Sequence, residues 1–142
     1  MAQRSEAFEI TFEPAVAVVH LTGAVTMPGI IVASEALYGA DAWRPGCSEL
    51  WDLSAIASLD VTPEGLRAVA DFEAELSAVV GPGRTALVVA RQDDYDIGLL
   101  YAHLPKGNGR EHRTFWSEEA ARAWLDAAEA PSEPNQPGRQ HA

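Results

Sequence analysis

Apolar and polar residues alternate over residues 8–13, with Phe8, Ile10 and Phe12 on one side and Glu9, Thr11 and Glu13 on the other. A period of two marks a half-buried β-strand. Pro14 interrupts it, residues 16–22 resume as a second strand, and Gly23 closes an N-terminal hairpin. The period then lengthens. Thr26 is placed to cap a helix carrying Ile30, Ala33, Leu37 and Tyr38, which Gly39 and the Pro45-Gly46 pair terminate. Residues 49–53 are continuously apolar enough to predict an interior strand. Thr62, followed by Pro63, starts a long helix to about Val80, whose inner stripe is Leu66, Val69, Ala70, Leu76 and Val80. Gly81-Pro82-Gly83 stops it, and residues 85–90 form the most hydrophobic strand, the natural sheet centre. Asp93 is placed to cap a short helix with Ile97, Leu99, Leu100 and Leu104; residues 105–109 make its exit loop. A last strand over 111–116 leads to a helix capped by Ser117, with Ala121, Trp124, Leu125 and Ala128 facing inward.

The order is β-β-α-β-α-β-α-β-α, which predicts an α/β fold. Its core is a mixed, mostly parallel five-stranded sheet flanked by helices. Residues 8–130 form one domain, residues 1–7 a flexible N-terminus, and the Pro-rich residues 131–142 a disordered tail.

With 21 acidic residues against 10 Lys plus Arg, the formal charge of −11 repels nucleic acid and anionic lipid surfaces. No apolar run reaches the roughly 20 residues of a membrane span, and no signal-peptide core is visible, so the expected location is the cytoplasm. A lone Cys47 excludes an internal disulfide, and no two of His20, His103, His112 and His141 have zinc-ligand spacing. No metal or cofactor is expected. No Walker loop, dinucleotide fingerprint or nucleophile elbow occurs, so the chain reads as non-enzymatic.

Chemistry-bearing residues gather where the third strand meets the following helix, the edge at which α/β sheets meet ligands. Asp52, Ser54, Ser58, Asp60 and Thr62 lie there. Thr62 is first a helix cap and second a candidate phosphorylation site. Asp93-Asp94-Tyr95-Asp96 lacks the spacing of a calcium loop. A second candidate is a groove beside the third helix, formed by Tyr95, Leu99, Leu100, Tyr101, His103 and Leu104. Trp43, Trp51 and Trp116 exceed what a small core needs, which points to a homodimer.

The hairpin ending Leu21-Thr22-Gly23, the strand Leu50-Trp51-Asp52-Leu53, the threonine-capped helix and the closing Phe115-Trp116-Ser117-Glu118-Glu119-Ala120 with Trp124-Leu125 occur in a familiar order. Over residues 8–126 the chain resembles the SpoIIAA-like family of bacterial STAS and Sec14-like proteins. The resemblance implies a small mixed sheet with flanking helices. It also implies a binding or regulatory module acting through a regulatory or kinase-like protein partner, or a carrier of a small apolar, lipid-like ligand; an enzyme ranks last. Asp60-Val61-Thr62 falls on the Asp-Ser-Ser/Thr-Gly motif of the family's anti-sigma-factor antagonists, where a kinase-like partner phosphorylates a serine, with Thr62 nearest the modified hydroxyl. Val61 replaces its first serine, and Pro63-Glu64 separate Thr62 from Gly65.

Overall fold

The structure, a computed structural model, describes residues 3–4 and 8–129 of the 142-residue chain. Strands β2 (Phe8–Phe12) and β3 (Val16–Leu21) form the antiparallel hairpin, pairing Ile10 with Val19. Of the first seven residues, expected to be flexible, Gln3–Arg4 (β1) pairs antiparallel with β2. The proline-rich tail lies outside the described residues. Strands β5 (Ser48–Asp52), β7 (Arg84–Val88) and β8 (Glu111–Phe115) add in parallel, giving the order β1-β2-β3-β5-β7-β8. The sheet is mixed and mostly parallel. Five full strands carry it, and the two-residue β1 lengthens one edge.

Helix α1 (Met27–Tyr38) begins where the Thr26 hydroxyl accepts the Gly29 N–H at 3.2 Å and ends at Gly39. Helix α2 (Pro63–Glu75) starts the same way, Thr62 accepting the Gly65 N–H at 3.1 Å. These two helices and α4 (Gln92–His103) cover one face of the sheet. There Ile10, Val19, Leu21, Trp51 and Leu53 meet Ala33 and Leu37. Among the described residues, helix α5 (Glu118–Glu129) alone covers the opposite face, where Val18, Leu50, Ala86 and Val88 pack on Ala121 and Leu125. Alternation along each strand separates the two cores.

Four local features differ from the sequence pattern. Residues 54–60, expected as loop, contain β6 (Ile56–Asp60), which pairs in parallel with β4 (Gly23–Thr26) as a separate two-stranded sheet. Only Ile56 and Leu59 of β6 turn inward; its Ser and Asp have low strand propensity, so no period of two appears. The helix expected to reach Val80 breaks at Leu76, and Ser77–Val80 (α3) forms a separate turn. The Ser77 hydroxyl donates to the Ala74 carbonyl at 2.5 Å, a local bond that competes with the helical ladder. Arg91, not Asp93, occupies the cap position of α4; Asp93 and Asp94 sit in its first turn, and Asp94 pairs with Arg91 at 2.9 Å. Finally, Trp43 and Trp51 are core residues, 5% and 7% exposed, so the aromatic surplus that suggested a homodimer shrinks to Trp116. Trp116 is 53% exposed and stacks on Tyr95 with ring centroids 4.5 Å apart.

Helix α4 sits directly on β8 because Gly98 has no side chain: a Cβ there would lie 2.2 Å from Thr114 Oγ1 and 3.2 Å from Thr114 Cβ. Gly98→Ala is expected to destabilise the fold by about 1–3 kcal/mol despite alanine's better helix propensity, because the helix must lift from the strand. Chemical denaturation measures it.

Candidate functional site

Between the sheet and helices α1, α2 and α4 lies a cavity of about 90 Å³. Its walls are apolar for most of their length: Leu21, Trp51, Leu53 and Leu87 from the sheet, Ile30 from α1, Leu66 and Val69 from α2, Ile97 from α4. Leu87 illustrates the effect, since it stands in a central strand and is still half-buried rather than fully buried. One part of the wall is polar. Tyr38, Glu49, Glu73, Thr85, Tyr101 and His112 converge there from six different elements.

Glu49 is 1% exposed, and each of its oxygens is engaged. The Tyr38 hydroxyl lies 3.1 and 3.0 Å from Oε1 and Oε2, and Trp51 Nε1 donates to Oε1 at 2.8 Å. Arg110 Nε lies 3.3 Å from Oε2, at ion-pair distance without hydrogen-bond alignment. Burial pushes the Glu49 carboxyl above its ordinary range, opposed by the Arg110 charge and the Trp51 hydrogen bond. Arg110 is held in turn: Nη2 donates to the Cys47 carbonyl, and the guanidinium lies 5.8 Å from the Trp43 ring centre. Gly83 makes room for it, since a Cβ at that position would stand 2.7 Å from Arg110 Nη1.

Glu73 is the second buried carboxylate. Tyr101 donates to Oε1 at 2.7 Å, Asn108 Nδ2 to Oε2 at 2.8 Å, and His112 Nε2 lies 3.2 Å from Oε2. Burial pushes this carboxyl up, but His112, Asn108 and Tyr101 together outweigh it and hold the group down at about 2. The same burial, reinforced by the two carboxylates, raises the Tyr38 and Tyr101 hydroxyls well above the usual tyrosine range. Lys106 closes the cluster from behind, its Nζ 4.5 Å from the Tyr101 ring centre and donating to the Tyr101 and Leu104 carbonyls at 2.7 and 2.6 Å. The basic loop after α4 therefore does more than connect: Lys106, Asn108 and Arg110 all serve the polar wall. Arg110 Nε and Nη1 lack a hydrogen-bond partner, though Arg110 does not line the cavity; on the wall itself one group is left over. Thr85 is 4% exposed, and its Oγ1 has no hydrogen-bond partner.

The residues singled out in the sequence lie elsewhere, with one exception. Asp52 accepts the Ser54 N–H at 3.0 Å and hydroxyl at 2.6 Å, and its other oxygen lies 3.2 Å from His20 Nδ1. Ser54, Ser58, Asp60 and Thr62 are exposed. Of the expected groove, only Tyr101 reaches the cavity. Helix α4 presents Ile97, Gly98 and Tyr101 inward, so by the helical period Leu99, Leu100 and His103 fall on its exposed side. Leu104 is half-buried but outside the cavity wall, Tyr95 faces Trp116, and His103 Nδ1 lies 2.8 Å from the Leu99 carbonyl. Asp52, Asp60 and His103 are not brought together as a catalytic set. Glu49, Glu73 and His112 carried a signal the pattern reading passed over: a carboxylate in an interior strand, another on the apolar stripe of α2, and a histidine in β8.

Among the described residues no cluster of metal-ligating side chains occurs, and no helix is long and apolar enough to cross a membrane.

Glu73 generates a pH-dependent prediction. Its folded-state value lies below its ordinary one, so it stabilises the fold fully above about pH 4.5 and less as pH falls toward about 2. Denaturation of the protein and of Glu73→Gln is expected to differ by on the order of 3 kcal/mol near neutrality, the gap closing on acidification through that window.

No protein-family model matches the chain, and no curated protein matches it significantly. Among solved structures, an uncharacterized protein of the DUF3478 family with a SpoIIAA-like fold, from Shewanella loihica PV-4, matches with a TM-score of 0.53. The identity is 14%, and the match covers 84% of this chain and 92% of that one. Strand order, the helices on either face and this match agree: the chain has a SpoIIAA-like fold.

Proposed function

We propose that the protein is a cytoplasmic, non-enzymatic binding module that takes up a small, mainly apolar ligand between its sheet and helices α1, α2 and α4. The observation that carries this reading is the cavity itself: apolar walls ending in a compact set of buried polar side chains, the usual composition of a ligand pocket. Both carboxylates at its polar end are occupied by hydrogen-bond donors from the protein, which favours recognition over acid–base chemistry. Leu87→Phe fills the cavity from a strand position without adding a polar group. Native mass spectrometry is expected to find a small molecule carried by the protein purified from its own cells and absent from Leu87→Phe. If neither carries one and Trp51 fluorescence stays unmoved across a set of small apolar molecules, the reading falls.

A second reading, regulation through a protein partner, is supported by the corner at Thr62. Its hydroxyl is exposed at the start of α2, while the preceding Val61 and the following Leu66 line the cavity. A phosphate there would meet the positive end of the helix and would replace the capping bond to Gly65. Intact-mass analysis of protein from its own cells is expected to show a phosphorylated fraction that Thr62→Ala removes. A single unmodified mass under all growth conditions counts against it.

A further inference from the structure

We propose that the cavity selects an uncharged ligand: a compact apolar body, of the size of a single ring, bearing one hydroxyl or aromatic amine as hydrogen-bond donor. This rests on the ligand-binding reading and narrows it. Size comes first. A dry apolar cavity of about 150 Å³ accepts benzene. At about 90 Å³ this cavity is smaller still, so it takes at most one small ring or a short branched chain, with any remainder outside. Two long acyl chains do not fit such a space.

Charge comes next. The cations nearest the polar wall are already engaged, Arg110 by Glu49 and the Cys47 carbonyl, and Lys106 by two backbone carbonyls and the Tyr101 ring. His112 faces Glu73. Arg110 keeps two unpartnered N–H groups but lies outside the cavity lining, so with two buried carboxylates in the cluster no cation on the wall, among the described residues, is left to receive a carboxylate or phosphate head group. A free cation gains no partner either, because both oxygens of each carboxylate already accept donors from the protein or face a cation.

Most of the remaining hydrogen-bonding capacity on the cavity wall is of one kind. Tyr38 and Tyr101 spend their protons on Glu49 and Glu73, which leaves the phenol oxygens as acceptors. Where His112 Nε2 carries the proton toward Glu73, Nδ1 is also an acceptor. The Thr85 hydroxyl has no partner, and rotation about χ1 exchanges it with its methyl group, so it can be turned to a ligand in the adjoining space. The Thr85 hydroxyl can act either way and the other groups accept, so the wall calls for a donor on the ligand.

Calorimetric titration of the full chain with phenol, toluene and benzoate tests this. Phenol is expected to bind about tenfold more tightly than toluene, the worth of one buried hydrogen bond, and benzoate not at all. Thr85→Val, nearly isosteric, is expected to narrow the phenol–toluene gap. Equal affinity for phenol and toluene, or tighter binding of benzoate, overturns the donor-selective site while the pocket reading stands. If none of the three binds and the protein carries no small molecule from its cells, both fall. Should Thr85→Val fail to fold, the three-ligand series on the natural protein still decides.

Discussion

A carboxylate with 1% exposure, Glu49, is the constraint around which this fold is arranged. It stands in an interior strand, and removing an ion from water costs several kcal/mol unless its oxygens are matched. The matching comes from far apart in the sequence: Tyr38 from the end of α1, Trp51 from the same strand, and Arg110 from the approach to β8. Each partner is fixed by something else. Tyr38 meets Trp43 edge-on at 5.0 Å, Trp43 Nε1 donates to the Val79 carbonyl at 2.8 Å, and Gly83 leaves the volume that Arg110 fills. The close approaches of loops 44–47 and 80–83 follow from seating one cation beside one buried anion.

The second carboxylate repeats the arrangement one layer out. Glu73 sits on the inner stripe of α2 and is satisfied by α4, β8 and the loop between them. Together the two acids prevent the helical layer from closing fully onto the sheet, since polar groups need partners rather than hydrocarbon at their side. The cavity is the apolar space next to that obstruction. The stability of the fold and the shape of the cavity are thus set by the same residues.

Much of the fold was legible in the sequence because it rests on periodicity. The hairpin alternation at Phe8, Ile10 and Phe12, the threonine caps at 26 and 62, and the run around Leu87 each encode local structure. The order of those elements was enough to suggest the SpoIIAA-like fold. Strand β6 was hidden because its partner β4 lies more than a helix away in the chain, and its own composition is that of a turn. The cavity was harder to see. Its polar wall draws on residues from 38 to 112, and only the fold brings them together. At the carboxyl edge Asp52 is a turn-stabilising acceptor, whereas the buried acid is Glu49, three residues earlier on the same strand.

The dependence of both carboxylates on loop 105–110 has a consequence for the order of assembly. Arg110 reaches back 63 residues to the Cys47 carbonyl, and Asn108 reaches back 35 to Glu73. Contacts of such separation carry a loop-closure entropy and form late. Until β8 docks, β5 and α2 hold acids without their counter-charges, so a chain lacking its last strand has reason to keep that layer wet and open. The edge strand thereby brings the last partners of both acids, and the interior can be sealed only once it has docked.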